Sequence, residues 1–154
     1  MMLISLVFIV LGENERYAIE NYLLDPFLLG ILFIRERKMN FSDFGLTSYS
    51  NYSEVGRLTN SEAQQIVDEV LKRLGLYSTN LEQGLLYNGW TLSISTEFNK
   101  HQGHDMESLY KAKFPFLNAY QREDALKKEI IEKVINDYPQ YTPRQLFETI
   151  QKIK

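Results

Sequence analysis

The sequence predicts a mainly helical α+β domain with one buried strand near its N-terminus and a short β-hairpin. Three observations lead to this fold class. Residues 1–11 form an apolar run rich in β-branched and aromatic side chains, which is typical of a strand buried on both faces. Asn88 and Gly89 separate two apolar segments and predict a tight hairpin turn. Over most of the remaining chain, apolar residues recur at helical spacing.

Length, charge and cysteine content narrow the class of protein. The chain has 154 residues, which predicts one domain over 1–154. Its formal net charge is −3 with both signs interspersed, so no overall positive field would attract nucleic acid or an anionic membrane, although a local DNA contact stays open. The absence of cysteine excludes disulfides and thiolate metal sites and fits a reducing compartment, so we expect a cytoplasmic location.

The apolar run at 1–11 has a second interpretation, as an export signal or membrane anchor. No Lys or Arg precedes the run, and no small-residue cleavage pattern precedes Gly12. About eleven residues also fall short of the roughly 20 that span a bilayer. We therefore favour a buried strand and expect no membrane partner. Since such a strand needs neighbours on both edges, the sequence indicates a sheet completed upstream of Met1 or by another chain.

Residues 1–39 should hold this strand followed by two helices. The residue before a proline is disfavoured in the α conformation, so the first helix should end near Leu24. The second helix should begin with Pro26 in its first turn and Asp25 as its N-cap.

Residues 40–58 lack a clean period and are rich in Ser, Asn and Gly, which predicts a loop. Phe41, Phe44 and Tyr49 should anchor it to the core. A binding segment is the alternative interpretation of such a polar, aromatic loop.

Residues 59–154 should contain further helices around the hairpin. Thr59 and Glu62 fit a capping box, which begins a helix that Gly75 ends. The second strand of the hairpin should bury Trp90, Leu92 and Ile94 and expose Thr91, Ser93 and Ser95. The other expected elements are strands near 83–87 and 90–95, and helices over 106–113, over 122–137 with its lysines facing water, and after Thr142-Pro143.

Four segments, taken in order, resemble a known family. They are LGENERYAIENYLLDPFLLGILFIRE, GWTLSIS, GHDMESLYKAKFPFLN and IIEKVINDYPQYTPRQLFETI. They resemble the C-terminal segment of bacterial ATPase proteins with a TOPRIM-like nuclease region, the group similar to the overcoming-lysogenization-defect family of phage-defence proteins. The most specific part of the resemblance covers residues 16–26, and Gly103-His104-Asp105 is a weaker match.

This resemblance implies metal-dependent cleavage of DNA, coupled to an ATPase and using Mg²⁺ or Mn²⁺ in the complete protein. The chain would be the residual part of a TOPRIM-like α/β domain with a helical tail. The acidic residues of the TOPRIM strands and the nucleotide-binding core would lie before Met1. By itself the chain would hold no cofactor and would not be an enzyme, and its partners would be DNA, an ATPase subunit or a second copy.

The resemblance also gives candidate site residues. Glu20 matches the helix glutamate of the family, which makes it the candidate catalytic and metal-binding residue, with Arg16 and Asn21 as binding neighbours. His104 stands where relatives often have a lysine that meets phosphate. A histidine at neutral pH mostly lacks that charge, which weakens this role.

The residue types and their spacing, taken without the resemblance, give weaker support for a catalytic or metal site. Two-metal phosphodiester cleavage needs several clustered carboxylates, whereas Glu20 stands one helical turn from Arg16 and fits a surface ion pair. His101 and His104 have no third ligand fixed by spacing, and capping by Asp105 or His104 explains the same residues. A modest basic surface, either a DNA contact or a solvated face, is predicted at Lys111, Lys113, Arg122, Lys127 and Lys128.

Three functions remain open at this point. The first is a non-catalytic C-terminal part of an ATPase-linked defence protein that contacts DNA or a partner subunit. The second is a small stand-alone interaction or inhibitor domain without a role on nucleic acid. The third is a metal nuclease assembled as an oligomer, for which the carboxylates are few. The sequence has no GxxxxGK[ST] or GxSxG motif, so we expect no ATP binding by this chain.

Overall fold

The computed structural model describes residues 21–101, 103–122 and 124–153. These residues form a mostly helical domain with one two-stranded antiparallel hairpin, which confirms the α+β class. The strand predicted at 1–11 lies outside the described residues. The helices are α1 (Pro26–Arg35), α2 (Asn60–Leu74), α3 (Thr96–Asn99), α4 (Gly103–Lys113), α5 (Ala125–Ile130) and α6 (Arg144–Ile153), and the strands are β1 (Leu81–Leu85) and β2 (Thr91–Ser95).

Helix α1 lies at the centre of the core. Asp25 caps it by accepting hydrogen bonds from the backbone N–H groups of Phe27 (2.8 Å) and Leu28 (3.2 Å), and Pro26 lies in its first turn, as predicted. Residues 26–34 are all buried, as expected for a helix that is apolar on every side. The helix packs against α2, α5 and residues 52–57 and 131–135.

Gly30 allows α1 and α2 to approach closely. A Cβ atom at this position would lie 2.2 Å from Cγ2 of Ile66, far inside the contact distance of two carbon atoms. The crossing of the two central helices therefore depends on the missing side chain.

Helix α2 has the predicted ends. The backbone N–H of Glu62 donates to Oγ1 of Thr59 (3.2 Å), and the backbone N–H of Thr59 donates to Oε1 of Glu62 (2.9 Å). Gly75 ends the helix with φ = 76°, in the left-handed region that favours glycine. Its apolar stripe is buried and consists of Ala63, Ile66, Val67, Val70, Leu71 and Leu74.

The segment 40–58, predicted as a loop, contains two 3₁₀ helices, Phe41–Phe44 and Tyr52–Arg57. Phe41 and Phe44 are buried. The hydroxyl of Tyr49 donates to Oε1 of Glu62 (2.6 Å). The three predicted anchors therefore hold this segment on the core.

The hairpin pairs Leu81 with Ser95 and Leu85 with Thr91. Leu92 and Ile94 are buried, as predicted, whereas Trp90 is only partly buried. The prediction that Ser95 is exposed is wrong, because its hydroxyl donates to the carbonyl of Leu76 (2.6 Å) and accepts from the N–H of Phe98 (3.2 Å). Ser95 is therefore fully buried and caps α3.

The first strand lies earlier in the chain than predicted. It begins at Leu81 and ends at Leu85, because the next residues bond to a different segment. The N–H of Tyr87 donates to the carbonyl of Thr142 (2.9 Å), and Leu86 forms an isolated bridge with Pro143. The turn contains Gly89 at φ = 93°, where glycine is required.

The helix predicted at 122–137 is shorter at its start and irregular at its end. Asp124 has φ = 64°, so α5 begins only at Ala125, and a π-helical turn follows over Ile131–Ile135. The prediction that the lysines of this helix face water is wrong for Lys127, whose side chain is 7% exposed. The wider π turn leaves four apolar residues buried together: Ile130, Ile131, Val134 and Ile135.

Candidate functional site

The predicted site residues do not form one cluster in the described part of the chain. Glu20 and Arg16 lie outside the described residues. His104 lies in the first turn of α4, and Lys111 lies in its last turn. Asn21 lines a cleft beside the hairpin, and Lys111 does not line that cleft.

Two lysines of the predicted basic surface form ion pairs within the fold. The ammonium of Lys111 lies 3.0 Å from Glu107 and donates to the carbonyl of Tyr120 (2.7 Å). The ammonium of buried Lys127 lies 2.9 Å from Glu107 and 3.7 Å from Asp124. Burial alone would raise the pKa of Glu107, but the two lysines bring it below its usual value. The expectation of a basic surface is therefore wrong for Lys127.

A cleft of about 320 Å³ opens on the face of the hairpin that packs on the core. One wall is apolar and consists of Leu92, Ile94 and Phe98. Gly84 of β1 also lines the cleft and contributes no side chain. The polar lining consists of Asn21, Asp25, Glu82, Gln83, Asn99 and Gln145, and no described Lys, Arg or His lines it. The cleft therefore combines an apolar wall with two carboxylates.

Asp25 places a buried carboxylate on this cleft. The residue is 8% exposed, and its Oδ1 accepts both capping hydrogen bonds of α1. No described residue donates to Oδ2. Burial raises the pKa of Asp25 to about 6, and the N–H groups of Leu28 and Phe27 oppose that rise. At neutral pH the carboxyl group is therefore mostly ionised although it is buried.

The second carboxylate belongs to Glu82 of β1. Its Oε2 accepts a hydrogen bond from the side-chain amide of Asn99 in α3 (2.7 Å). Glu82 is exposed, so it lies on the solvent side of the cleft while Asp25 is buried. Its pair with Asn99 connects β1 to α3 along the lining.

We expect Asp25→Asn to stabilise the fold at neutral pH. Asparagine keeps the oxygen that caps α1 but has no charge to bury. The pKa of Asp25 is about 6 in the folded protein against an ordinary 3.8, so the folded state binds the proton more tightly. Its favourable contribution is complete below about pH 3.8 and is lost as pH rises through about 6. The stabilising effect of the substitution should reach roughly 3 kcal/mol.

Urea unfolding of both proteins at pH 4 and pH 7.5 checks this expectation. The difference in unfolding free energy should be largest at pH 7.5 and shrink toward pH 4. Asp105→Asn, at an exposed position in the first turn of α4, is the matched control. A difference for Asp25→Asn that does not change with pH would contradict the assignment of a buried charge.

The backbone N–H and C=O groups of successive residues in β1 point alternately toward β2 and away from it. The N–H of Leu86 donates to the carbonyl of Trp90 (2.8 Å), and the N–H of Thr96 donates to the carbonyl of Asn80 (3.0 Å). In an antiparallel ladder, the residues between such pairs direct their backbone groups away from the partner strand. The N–H and C=O groups of Leu81, Gln83 and Leu85 therefore point away from β2.

Ser93 of β2, opposite Gln83, confirms this alternation. Its N–H donates to Oε1 of Gln64 (2.7 Å) and its carbonyl accepts from Nε2 of Gln64 (2.8 Å). Both groups thus face α2 and not β1. Among the described residues, β2 is the only strand that pairs with β1, and the segment from Thr142 occupies the same edge from Leu86 onward. The outward groups of Leu81 and Gln83 therefore form an open edge.

Apolar side chains accompany this edge. Leu81 is 50% exposed, Leu85 is 42% exposed and Tyr87 is 60% exposed. Alternation along a strand places these side chains on the face opposite that of Glu82 and Gly84, and Leu85 also contributes to the rim of the cleft. The open edge therefore has exposed apolar groups on one face and the acidic cleft on the other.

A second, more open cavity of about 670 Å³ lies beside residues 40–52. Arg37 has φ = 59°, and its guanidinium lies 4.5 Å from the centre of the Tyr52 ring. This contact is a cation–π interaction between two residues that line the cavity. Arg37 is the one basic residue in the described lining of this cavity, and its guanidinium is engaged by Tyr52.

Local sequence patterns give few signals for the cleft. The position of Asp25 before Pro26 predicts a helix cap and does not by itself predict a cleft. A glycine inside a strand often marks the close approach of another group, and the segment LEQGL places Gly84 two residues after Glu82. That pattern is the one local signal for an accessible acidic cleft.

Comparison of the chain with protein-family models, with curated proteins and with solved structures found no match. No described helix is long and apolar enough to cross a bilayer. Within the described ranges, no group of three or more His, Asp and Glu could hold a metal ion. The described residues thus define an α+β domain with an open strand edge beside an acidic cleft.

Proposed function

We propose that the chain is a non-catalytic interaction domain that binds an extended segment of a partner protein along β1. The observation that carries this proposal is the pair of residues, Leu81 and Gln83, whose N–H and C=O groups point outward from the edge of β1. Peptides commonly bind by adding a strand to such an edge. An open edge is otherwise a liability, because it pairs with other chains without selection.

The two faces beside the edge support the same proposal. An added strand directs alternate side chains to opposite faces of a sheet. On one face these side chains would cover Leu81, Leu85 and Tyr87, which are exposed, and on the other they would reach the cleft. The partner segment would thus make contacts on both faces as well as through its backbone.

A second copy of the chain fits this edge less well than a different protein. Pairing two β1 strands about Gln83 would place the Glu82 side chains of both copies on the same face, beside Asp25. The acidic clefts of the two copies would then adjoin each other, and repulsion among their carboxylates disfavours this pairing. We therefore assign the edge to a partner of different sequence.

The resemblance to ATPase-linked TOPRIM proteins gives this proposal a candidate partner, the ATPase subunit. In that case Glu20 and a Mg²⁺ or Mn²⁺ ion would act only in the complete protein. The paired state of Lys111 and Lys127 with Glu107 favours a subunit contact over a DNA contact as the role of the described residues. The alternative of a stand-alone inhibitor domain would use the same edge.

We expect peptide binding to depend on the backbone N–H of Gln83. Gln83→Pro removes this donor without removing one that β2 uses, and proline is tolerated at such edge positions. Peptides selected from a random library on the wild-type protein should bind about tenfold more weakly to Gln83→Pro, since one hydrogen bond is lost. Isothermal titration calorimetry measures the difference.

Gln83→Ala is the matched control, because it keeps the N–H and removes the same side chain. Its affinity for the peptides should equal that of the wild type, and thermal unfolding should show all three proteins folded. Failure to select any peptide, or equal binding to Gln83→Pro, would refute the proposal. Dimerisation of the pure protein in sedimentation, abolished by Gln83→Pro, would assign the edge to a second copy instead.

A further inference from the structure

We propose that the cleft receives a lysine or arginine side chain of the segment that binds β1, with its charged head on Asp25 and its methylenes along the apolar wall. This inference rests on the proposed function, because the bound segment delivers the side chain. It adds the chemical class of residue that the partner must carry.

The charge of the cleft is the first support for this inference. Asp25 is 8% exposed and lines the cleft, and capping of α1 uses its Oδ1 alone. A buried carboxylate with no cationic partner is unfavourable. No described basic residue lines the cleft, so a cation from the partner would add a charge-assisted hydrogen bond to Oδ2, to which no described residue donates.

Helix capping does not account for this carboxylate. Asparagine and serine cap helices as well as aspartate does and carry no charge. The buried hydroxyl of Tyr110 on α4 does not serve Asp25 either, because it donates to the carbonyl of Leu24 (2.9 Å). The charge of Asp25 thus has no structural use among the described residues.

The shape of the cleft is the second support. Its wall of Leu92, Ile94 and Phe98 is apolar, and Asp25 and Glu82 are polar ends of the same lining. Long basic side chains bury their methylenes against apolar surface and keep the head on a polar group. The volume of about 320 Å³ lies at the lower end of the range for small-ligand sites.

The position of Gly84 is the third support. In an added strand, side chains on the same face as Glu82 and Gly84 point toward the cleft. A Cβ atom at Gly84 would meet nothing closer than the carbonyl oxygen of Leu92 at 3.7 Å. The missing side chain therefore leaves the cleft accessible from the open edge.

Small capped amino acids test the cleft separately from the edge. N-acetyl-lysine methylamide and N-acetyl-arginine methylamide, titrated into the full chain and followed by backbone NMR, should give saturable shifts at Asn21, Glu82, Gly84 and Asn99. N-acetyl-norleucine methylamide, which has the methylenes without the charge, should give none. Equal shifts from norleucine, or none from either basic probe, would overturn the inference.

Two variants identify the groups responsible. Asp25→Asn keeps the cap of α1 and should weaken the binding of the basic probe at least tenfold, whereas Asp105→Asn should leave it unchanged. Gly84→Val should block the cleft with a side chain that suits a strand and preserve thermal stability. Unchanged binding in Asp25→Asn or in Gly84→Val would overturn the inference.

Further outcomes separate this inference from the proposed function. Selected peptides that depend on the N–H of Gln83 but show no preference for Lys or Arg would overturn the cleft assignment and leave the edge assignment standing. If the basic probe binds but Gln83→Pro does not weaken the binding of the selected peptides, the proposed function is overturned. Delivery of the basic side chain by an added strand is then overturned with it. Spermidine binding more than tenfold tighter than the capped lysine would assign the cleft to a free polyamine and overturn the inference.

Discussion

Replacing Lys127 by alanine should destabilise the fold by about 3 kcal/mol. The ammonium of Lys127 is buried and lies 2.9 Å from Oε1 of Glu107, whose side chain is 17% exposed. Removing one member of a buried ion pair leaves the other charged group without its compensation. Lys111, which also contacts Glu107, should limit the loss to the lower end of the range for such pairs.

Lys128→Ala is the matched control, because Lys128 is the next residue of α5 and is exposed. Its effect should be within about 0.5 kcal/mol of zero. Urea unfolding at neutral pH gives both values. Equal effects of the two substitutions would contradict the structural role of Lys127.

Replacing Gly30 by alanine should destabilise the fold by about 3 kcal/mol, although alanine is the better helix former. The new Cβ atom would lie 2.2 Å from Cγ2 of Ile66. Both helices are buried at this crossing, so the overlap must be relieved by moving a core helix or forcing a strained rotamer.

A double-mutant cycle with Ile66→Ala separates this overlap from other effects. Ile66→Ala removes the Cγ2 atom, so adding Gly30→Ala in that background should cost little or be stabilising. Gly84→Ala, whose Cβ would have only ordinary contacts, should be nearly neutral. Additive effects at 30 and 66 would show that the two helices do not meet as described.

The sequence predicted correctly those helix ends and turns that are formed by residues close together in the chain. Thr59 and Glu62 form their capping box within one turn of helix, and Asp25 caps the helix that begins at Pro26. The turn at Asn88-Gly89 likewise requires only the conformation of those residues. These features could be predicted because the groups that form them lie within a few residues.

Features that depend on residues far apart in the sequence could not be predicted in this way. Lys127 is buried because Glu107, on another helix, pairs with it. Ser95 is buried because the carbonyl of Leu76 accepts its hydrogen bond. Helical and strand periods treat a lysine or serine as exposed, and only tertiary packing supplies the partners that change this.

In the candidate site, too, the sequence predicted local features and missed those that depend on residues far apart in the chain. Asp25 could be predicted as a cap, but its place in a cleft with Glu82 requires the hairpin to fold back onto the start of α1. The roles assigned to Glu20 and Arg16 by resemblance, and the strand at residues 1–11, stay predictions because they lie outside the described residues.

The side chain of Gln64 determines on which side of the hairpin this domain can hold a partner strand. It occupies both backbone groups of Ser93, the residue of β2 that would otherwise offer its edge to a neighbour. A strand can therefore be added beside β1 but not beside β2. We therefore expect complexes in which each domain holds a partner strand on the β1 side of its hairpin and none on the β2 side.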